Sequence, residues 1–449
     1  MSVQQPKGIT AISVSGFKSI RDETRIEIRP LTLLAGANSS GKSSIMQPLL
    51  MMKQTLDASS DRGPLKLDGP NVTFTSINQF LFRNNQKVFS DLKITLDINH
   101  IQGSSSLIST FQRITADKKR RLDLTEMIYS RSDEKIVLRP NMFHEEIVSQ
   151  IPRLSDYIDA STRWHVFRQR CFLGVDPGPF NFQGLPIHNT LLVNPGSEFE
   201  NEIAEVIHVP GLRGNPQRTY PTTSMFGPRF EGTFENYIAS IIDRWKEKEP
   251  ANLDALIRLM GSQRLALTSG LTTKTINDVE IELRVNRLID TKNTVNPNDM
   301  VRIADVGFGI SQILPALVAL LVAEPGQLVY IEQPELHLHP RAQVALASVL
   351  ADAAKRGVRI VAETHSALLL LGIQTLIAEG QLPPEDVILH WFKRNEEGNT
   401  EVNSVQPDEN GSYGDWPEDF ADAELDAQSK YLQAVEKREL RRHLDGQKS

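Results

Sequence analysis

The chain has 449 residues, of which 40% are hydrophobic and 23% charged, with a formal net charge of −7. That length buries at least one sizeable core and leaves room for two or three domains, or for one interrupted domain. No apolar run approaches the roughly 20 residues needed to cross a bilayer, and the acidic balance argues against a protein that coats nucleic acid non-specifically, although a local basic groove stays open.

In chain order, Met1 to Lys7 is polar and lacks the apolar centre of a secretory signal, so a soluble chain with a default cytoplasmic address is expected. Alternation through Ile12, Val14 and Phe17, then through Ile26 and Ile28, predicts a strand, a turn at Asp22 and a second strand. A short buried strand follows at Leu31 to Leu34. Ile45, Leu49, Leu50, Met52 and Leu56 fall at helical spacing and place a helix directly after a glycine-rich loop. More strand is expected from Phe74 to Ile98, and a hairpin between Ser109 and Ser130 whose tip carries Lys118, Lys119, Arg120 and Arg121, a cluster read as solvated turn residues rather than a nucleic-acid contact.

Residues 131–205 show no strong single period and are interrupted by prolines from Pro140 to Pro195, which suggests an inserted mixed lobe. The single cysteine, Cys171, cannot form an intrachain disulfide and reads as buried filler. Helices are predicted at Phe234 to Lys246 and Asn252 to Met260, and a strand at Val279 to Val285. Strand and helix then alternate up to a charged helical tail. The expected segments are 8–110 for the first half of a divided head domain, 111–204 for the inserted lobe, 205–420 for its second half and 421–449 for the tail. No sustained heptads announce a long coiled-coil arm.

The strongest motif is Gly36-Ala37-Asn38-Ser39-Ser40-Gly41-Lys42-Ser43, a full match to G-x-x-x-x-G-K-[ST]. Glycines let backbone N–H groups turn inward around phosphates, the helix start adds its dipole, Lys42 reaches the terminal phosphates and Ser43 offers an oxygen to Mg²⁺. Gly36, Asn38, Ser39, Ser40, Gly41, Lys42, Ser43 and Ser44 are therefore the expected contacts for ATP. Far downstream, the buried-strand pattern Leu328 to Ile331 ends in Glu332-Gln333-Pro334-Glu335, followed by Leu336-His337-Leu338-His339-Pro340. A carboxylate at the end of such a strand can hold the water shell of the metal, and Glu332 is the candidate.

With these motifs the chain resembles the ABC-type ATPases of the RecF/SMC and overcoming-lysogenisation-defect (OLD) class, AAA-family proteins whose strand end usually reads Asp-Glu-Pro. The match extends to Asp305-Val306-Gly307-Phe308-Gly309-Ile310-Ser311-Gln312, with Gly309 placed 23 residues before Glu332, and to Val361-Ala362-Glu363-Thr364-His365-Ser366, with His365 placed 33 residues after it. It implies an α/β head with a P-loop, a mixed sheet flanked by helices and an inserted α+β lobe. It further implies that Lys18, in Gly16-Phe17-Lys18-Ser19, contacts the nucleotide, that Gln79 senses the metal and that His365 senses the γ-phosphate. Gly307, Gly309 and Ser311 would bind the γ-phosphate of a partner's ATP. The segment His208 to Tyr220, with Arg213, resembles a Pro-Leu-Arg element of these heads. His337 and His339 fall where the family places a dimer-contact loop. Tyr413-Gly414-Asp415-Trp416-Pro417-Glu418 resembles the extension of a bacterial branch often found in antiphage defence loci.

The pattern departs in two places. Gln333 stands where the class carries the glutamate that polarises the attacking water, and an amide cannot take a proton at neutral pH, though it can orient water. Slow hydrolysis follows as the expectation, with Glu335 or Glu363 as substitute bases beside Glu332. The usual Ser-Gly of the signature loop is also replaced by glycines. The implied function is an ATP- and Mg²⁺-dependent homodimer, or higher oligomer, that switches a partner effector such as a nuclease in antiphage defence. The alternatives are a RecF-like ATPase clamping DNA, and an ATP-gated scaffold with little turnover.

Overall fold

The computed structural model describes residues 7–83, 89–100, 103–116, 119–132, 134–156, 163–177, 180–182, 185–187, 193–224, 227–289, 296–414 and 429. Lys118, the Asp415-to-Glu418 part of the Tyr413 motif and the 421–449 tail apart from Ser429 lie outside them. Among the described residues no helix is long and apolar enough to cross a membrane.

A six-stranded sheet runs through the molecule in the order Ile207–Val209, Leu328–Glu332, Arg359–Glu363, Leu31–Gly36, Val387–Arg394, Thr400–Val405. Neighbours are parallel across the first five, and the sixth closes an antiparallel hairpin. A mostly parallel sheet is covered on both faces, which is why Leu328 to Ile331 reads as a continuous apolar run. Successive side chains on these strands alternate between two cores: Leu33, Val329, Ile331, Ile360 and Ala362 enter one, while Leu34, Leu328, Tyr330 and Val361 enter the other. The helices Phe308–Val322, Pro340–Lys355 and Ala367–Ala378 supply the first core. The helix Lys42–Leu56 and an antiparallel sheet supply the second.

That antiparallel sheet has the order Thr24–Glu27, Gly8–Ser15, Asp91–His100, Gly103–Ala116, Lys119–Arg131, Glu134–Leu138. It contains the expected Ser109 to Ser130 hairpin. The segment boundary expected at residue 110 falls inside the strand Gly103–Ala116, and the sheet continues to Leu138. Strand was also expected from Phe74 onward, but among the described residues the chain there turns through a one-turn 3-10 helix, Ile77–Gln79, and makes isolated bridges, such as that from Phe17 to Leu81, before the strand that begins at Asp91. The reason is aromatic packing: Phe74 and Phe80 close on Phe17 with ring centroids 6.1 and 5.8 Å away, so their side chains gather at one point instead of alternating. Glu280–Asn286 pairs with Leu271–Asn277, a polar threonine-rich strand that apolar periodicity passed over.

Gly16 opens the loop that carries Lys18. Its φ is +75°, and an added Cβ would lie 2.0 Å from the Asp91 carbonyl oxygen. Gly16→Val is expected to lower the urea midpoint by the equivalent of roughly 2 kcal/mol or more, because left-handed strain and a backbone clash act together. An unchanged midpoint would show that this loop can shift freely.

Candidate functional site

The parallel strands all end on the same side, and the site is built there. Glu332 and Glu363 are Cα partners on adjacent strands, and Glu363 pairs in turn with Leu34, two residues before Gly36. One strand therefore stands between the glycine-loop strand and the strand that ends in Glu332.

The loop turns through Gly36 at φ +138°, Ser39 at +60° and Gly41 at +112°. Both glycines are also dictated by close approach: a Cβ would meet the Phe392 carbonyl oxygen at 2.1 Å from Gly36 and the Thr400 hydroxyl at 2.3 Å from Gly41. The Val387–Arg394 and Thr400–Val405 hairpin thus clamps the loop from one side. Thr400 Oγ1 donates to the Ser40 carbonyl at 2.8 Å, and Arg394 Nε donates to the Ser39 carbonyl at 2.8 Å. Ser19 Oγ lies 2.8 Å from Thr400 Oγ1 and ties in the Lys18 loop. Asn38 and Ser39 are exposed at the tip, Ser44 is buried in the first helical turn, and the buried Ser40 hydroxyl has no hydrogen-bond partner.

Lys42 Nζ donates to the carbonyls of Gly36 at 3.0 Å and Ala37 at 2.8 Å, folding back over its own loop. Burial lowers its pKa against the opposing charges of Glu363 and Glu335. Ser43 Oγ reaches both carboxylate oxygens of Glu363, at 3.0 and 2.8 Å. Tyr330, fully buried, donates its hydroxyl to Glu363 Oε2 at 3.0 Å. Burial raises the pKa of Glu363, and the Ser43 hydrogen bond opposes it.

Glu332 is held on its far side. Its Oε1 lies 3.2 Å from His208 Nε2 and its Oε2 accepts from the Gly211 N–H at 3.0 Å. Burial works to raise this carboxyl, but the His208 imidazole, the Gly211 N–H and the Tyr330 hydroxyl together hold it below its ordinary value. His208 stacks on Tyr330 with ring centroids 5.3 Å apart. Lys18 lies over the Phe74 ring at 5.0 Å, and its pKa is lowered by burial against the raising influence of Glu332.

Glu335 turns inward: its Oε1 accepts from Thr364 Oγ1 at 2.9 Å and from the His365 N–H at 2.8 Å, while its buried Oε2 has no partner. Burial raises its pKa. His365 is lowered by burial and by the charge of Lys42, which keeps the ring neutral at neutral pH. Gln333 has φ +46°, and its N–H donates to the Glu363 carbonyl at 2.7 Å. Its side-chain amide joins no hydrogen bond among the described residues.

Lys42, Ser43, Glu332, Glu335, Glu363 and His365 thus converge. Other expected residues sit apart. Gln79 is exposed, and its amide closes on Thr75 at 2.7 and 2.8 Å. Gly307 caps the helix Phe308–Val322, Ser311 Oγ bonds to the Phe308 carbonyl at 3.0 Å, and the Phe308 and His337 rings lie 6.3 Å apart. Among the described residues no hydrogen bond joins that loop, including Gly309, to residues 36–44. His339 Nδ1 caps the next helix by accepting from Arg341 N at 3.3 Å, a structural task for this ring.

The residues that sequence reasoning missed or left without a role are Tyr330, His208, Thr364, Thr400 and Arg213. Each makes at least one contact with a residue far off in sequence, from 29 positions for Thr364 to Glu335 up to 381 for Thr400 to Ser19. Arg213, 6% exposed, donates to the carbonyls of Pro210 at 3.0 Å, Gln312 at 2.5 Å and Glu332 at 2.9 Å.

Among the described residues no group of three or more His, Cys, Asp or Glu side chains forms a ready-made metal cage. Magnesium needs none: it takes one or two carboxylates and completes its octahedron with phosphate oxygens and water. The Ser43 hydroxyl on Glu363, with Glu332 on the neighbouring strand and an unpartnered Ser40 hydroxyl in the cradle, suits a magnesium-bound phosphate group.

Two family models match the chain: one described as "AAA ATPase domain" over residues 8–168, and one described as "AAA domain, putative AbiEii toxin, Type IV TA system" over residues 215–371. The first runs past the boundary expected at residue 110. No curated protein matches the chain. Among solved structures, an Smc head bound to the C-winged helix domain of ScpA is similar at 13% identity, covering 89% of this chain and 98% of that one with a TM-score of 0.48. An SMC head domain from Thermotoga maritima follows at 11% identity, covering 89% and 99%, with a TM-score of 0.42. A third, the Smc head domain with an extended coiled coil bound to the C-terminal domain of ScpA derived from Pyrococcus furiosus, is 11% identical, covering 96% and 99%, with a TM-score of 0.43.

Proposed function

We propose that this chain is an ABC-like AAA ATPase of the SMC/RecF class that works as an ATP-dependent switch. It binds ATP with Mg²⁺ on Gly36 to Ser44, hydrolyses it slowly and pairs two heads around the nucleotide. The paired state acts on a partner effector such as a nuclease in defence against foreign DNA. The observation that carries this reading is the contact of Ser43 with Glu363 across 320 positions of sequence, which brings an acid from the second half of the chain to the loop that holds Lys42. When bound, magnesium supplies charge neutralisation for the phosphates, with Ser43 and Glu332 as its expected protein groups.

The chain's own residues divide the remaining work. Lys42 exchanges its two loop carbonyls for phosphate oxygens, an exchange that costs little because carbonyls and phosphates compete for the same ammonium. Inward-turned N–H groups of the loop supply the rest of the cradle. In this reading a neutral His365, carried on the segment that pins Glu335, donates one hydrogen bond to the terminal phosphate. Phe308, 53% exposed at the start of the signature helix, and the adjoining His337 turn form the surface offered to a second head.

Lys42→Ala is expected to weaken binding of a fluorescent ATP analogue roughly 10- to 100-fold, the worth of a charge-assisted contact to phosphate. Wild-type affinity in that variant would remove the phosphate loop from the reading. A specific residue, Gln333, favours the scaffold as second reading. It gains support if hydrolysis stays undetectable with partner and DNA present while ATP still drives assembly. A DNA clamp predicts ATP-enhanced DNA binding that falls steeply with salt, and a gel-shift series with and without ATP separates it.

A further inference from the structure

We propose that Glu363 is a magnesium-side carboxylate of this site, contributed by the strand that stands between the phosphate-loop strand and the strand of Glu332. The inference rests on the reading of Gly36 to Ser44 as a nucleotide loop and says which of the chain's acids serves the metal there.

The distances carry it. In a phosphate loop the hydroxyl at the Ser43 position is the one that faces Mg²⁺. Both Glu363 oxygens lie beside that hydroxyl, at 3.0 and 2.8 Å. Ligands at adjacent corners of a magnesium octahedron, each about 2.0–2.1 Å from the ion, stand about 2.9 Å apart. Ser43 Oγ and a Glu363 oxygen therefore already have the spacing of two neighbouring corners, or of one corner and the acceptor of a neighbouring water.

Orientation points the same way. Glu363 is 5% exposed and ends the strand Arg359–Glu363, a rigid element. The Tyr330 hydroxyl donates to its Oε2 at 3.0 Å, the kind of second contact that holds a metal-side carboxylate in place. Glu332 is differently employed: its two oxygens are taken by His208 and by the Gly211 N–H, toward the edge strand Ile207–Val209. Lys42, which neighbours the phosphates, feels the charges of Glu363 and Glu335. Two acids in register on adjacent strands also repel one another until a cation lies between or beside them.

The test compares the affinity of a fluorescent ATP analogue in Mg²⁺ and in EDTA, in wild type and in Glu363→Gln, which keeps the shape and removes the charge. The expected result is an affinity in EDTA no weaker than that of the wild type, since a carboxylate that repels the bare phosphates is gone, and a Mg²⁺ enhancement reduced roughly 10- to 100-fold, the range found when groups supporting a metal are lost. The magnesium concentration at half-maximal binding rises by the same factor. If Glu363→Gln does not fold, as judged by circular dichroism, Glu363→Asp takes its place, and its withdrawn carboxylate should reduce the enhancement several-fold. A wild-type enhancement in the folded variant overturns the proposal, and it does so most directly if Glu332→Gln alone abolishes the enhancement. A wild-type protein that binds no nucleotide under either condition overturns the nucleotide reading itself, and the proposal with it.

Discussion

Replacing Gln333 by glutamate is expected to raise steady-state ATP hydrolysis by about 100-fold or more, since a positioned general base contributes on the order of 10² to 10⁴ in rate. The residue stands one position after Glu332, at the end of a central strand and in a left-handed conformation fixed by its N–H to the Glu363 carbonyl at 2.7 Å. Backbone strain of that kind persists where the surroundings enforce it, so the substituted carboxylate inherits a defined place. The wild-type amide has nothing to offer a proton. Glu335 is the nearest substitute, but burial raises its pKa and two donors hold one of its oxygens. It carries a proton over more of the pH range than an ordinary carboxylate does, which suits slow turnover. The paired experiment measures phosphate release in Gln333→Glu and in Glu335→Gln at saturating Mg²⁺-ATP. Acceleration in the first and loss of residual turnover in the second would identify the base. Unchanged rates in both, at wild-type nucleotide affinity, would sink the assignment.

Much of this site was legible before any coordinates. The glycine loop is a contiguous motif whose residue types have local reasons, and the three positive-φ positions Gly36, Ser39 and Gly41 lie inside it. Strand ends were legible too, because a parallel strand buried on both faces reads as an unbroken apolar run and the acids that follow stand out. What sequence could not assign was which acid meets which partner. Glu332 and Glu363 both end apolar runs, both are followed by polar turns, and only the strand order puts Glu363 next to Leu34 and Glu332 one strand further away. Strand order is set by packing between helices far apart in sequence and leaves no local mark. Polar partners such as Tyr330, His208 and Thr400 were missed for the same reason. A tyrosine within a hydrophobic run gives no sign that its hydroxyl meets a carboxylate on the neighbouring strand. The loop from Phe74 to Phe82 misled in the opposite direction, since three aromatic rings packing at one point mimic the hydrophobicity of a strand without its alternation.

Arg213→Leu is expected to destabilise the folded protein by about 3 kcal/mol or more, because each buried carbonyl left without its donor costs about 1–3 kcal/mol and three are left at once. Burial pushes the pKa of this guanidinium down to about 10, so it remains charged at neutral pH, and its partners at close range are backbone carbonyls. Those carbonyls belong to three different parts of the site: the Pro210 turn, the signature helix at Gln312 and the strand end at Glu332. Gln312 answers by donating its amide to the Gly214 carbonyl at 3.2 Å, and Gly211 donates to the Glu332 carboxylate at 3.0 Å. The 208–214 segment is therefore a collar that fastens the helix Phe308–Val322 to the strand that ends in Glu332. A planar fork satisfies three acceptors that a single ammonium cannot reach together, so Arg213→Lys should recover only part of the loss. Urea unfolding reads the stability, and ATP-dependent self-association, measured on variants that remain folded, reads the coupling. A collar predicts that Arg213→Lys keeps its affinity for the fluorescent nucleotide while ATP promotes assembly less. Stability in Arg213→Leu equal to wild type would mean that the three carbonyls find other donors and that the two halves of the site are fastened elsewhere.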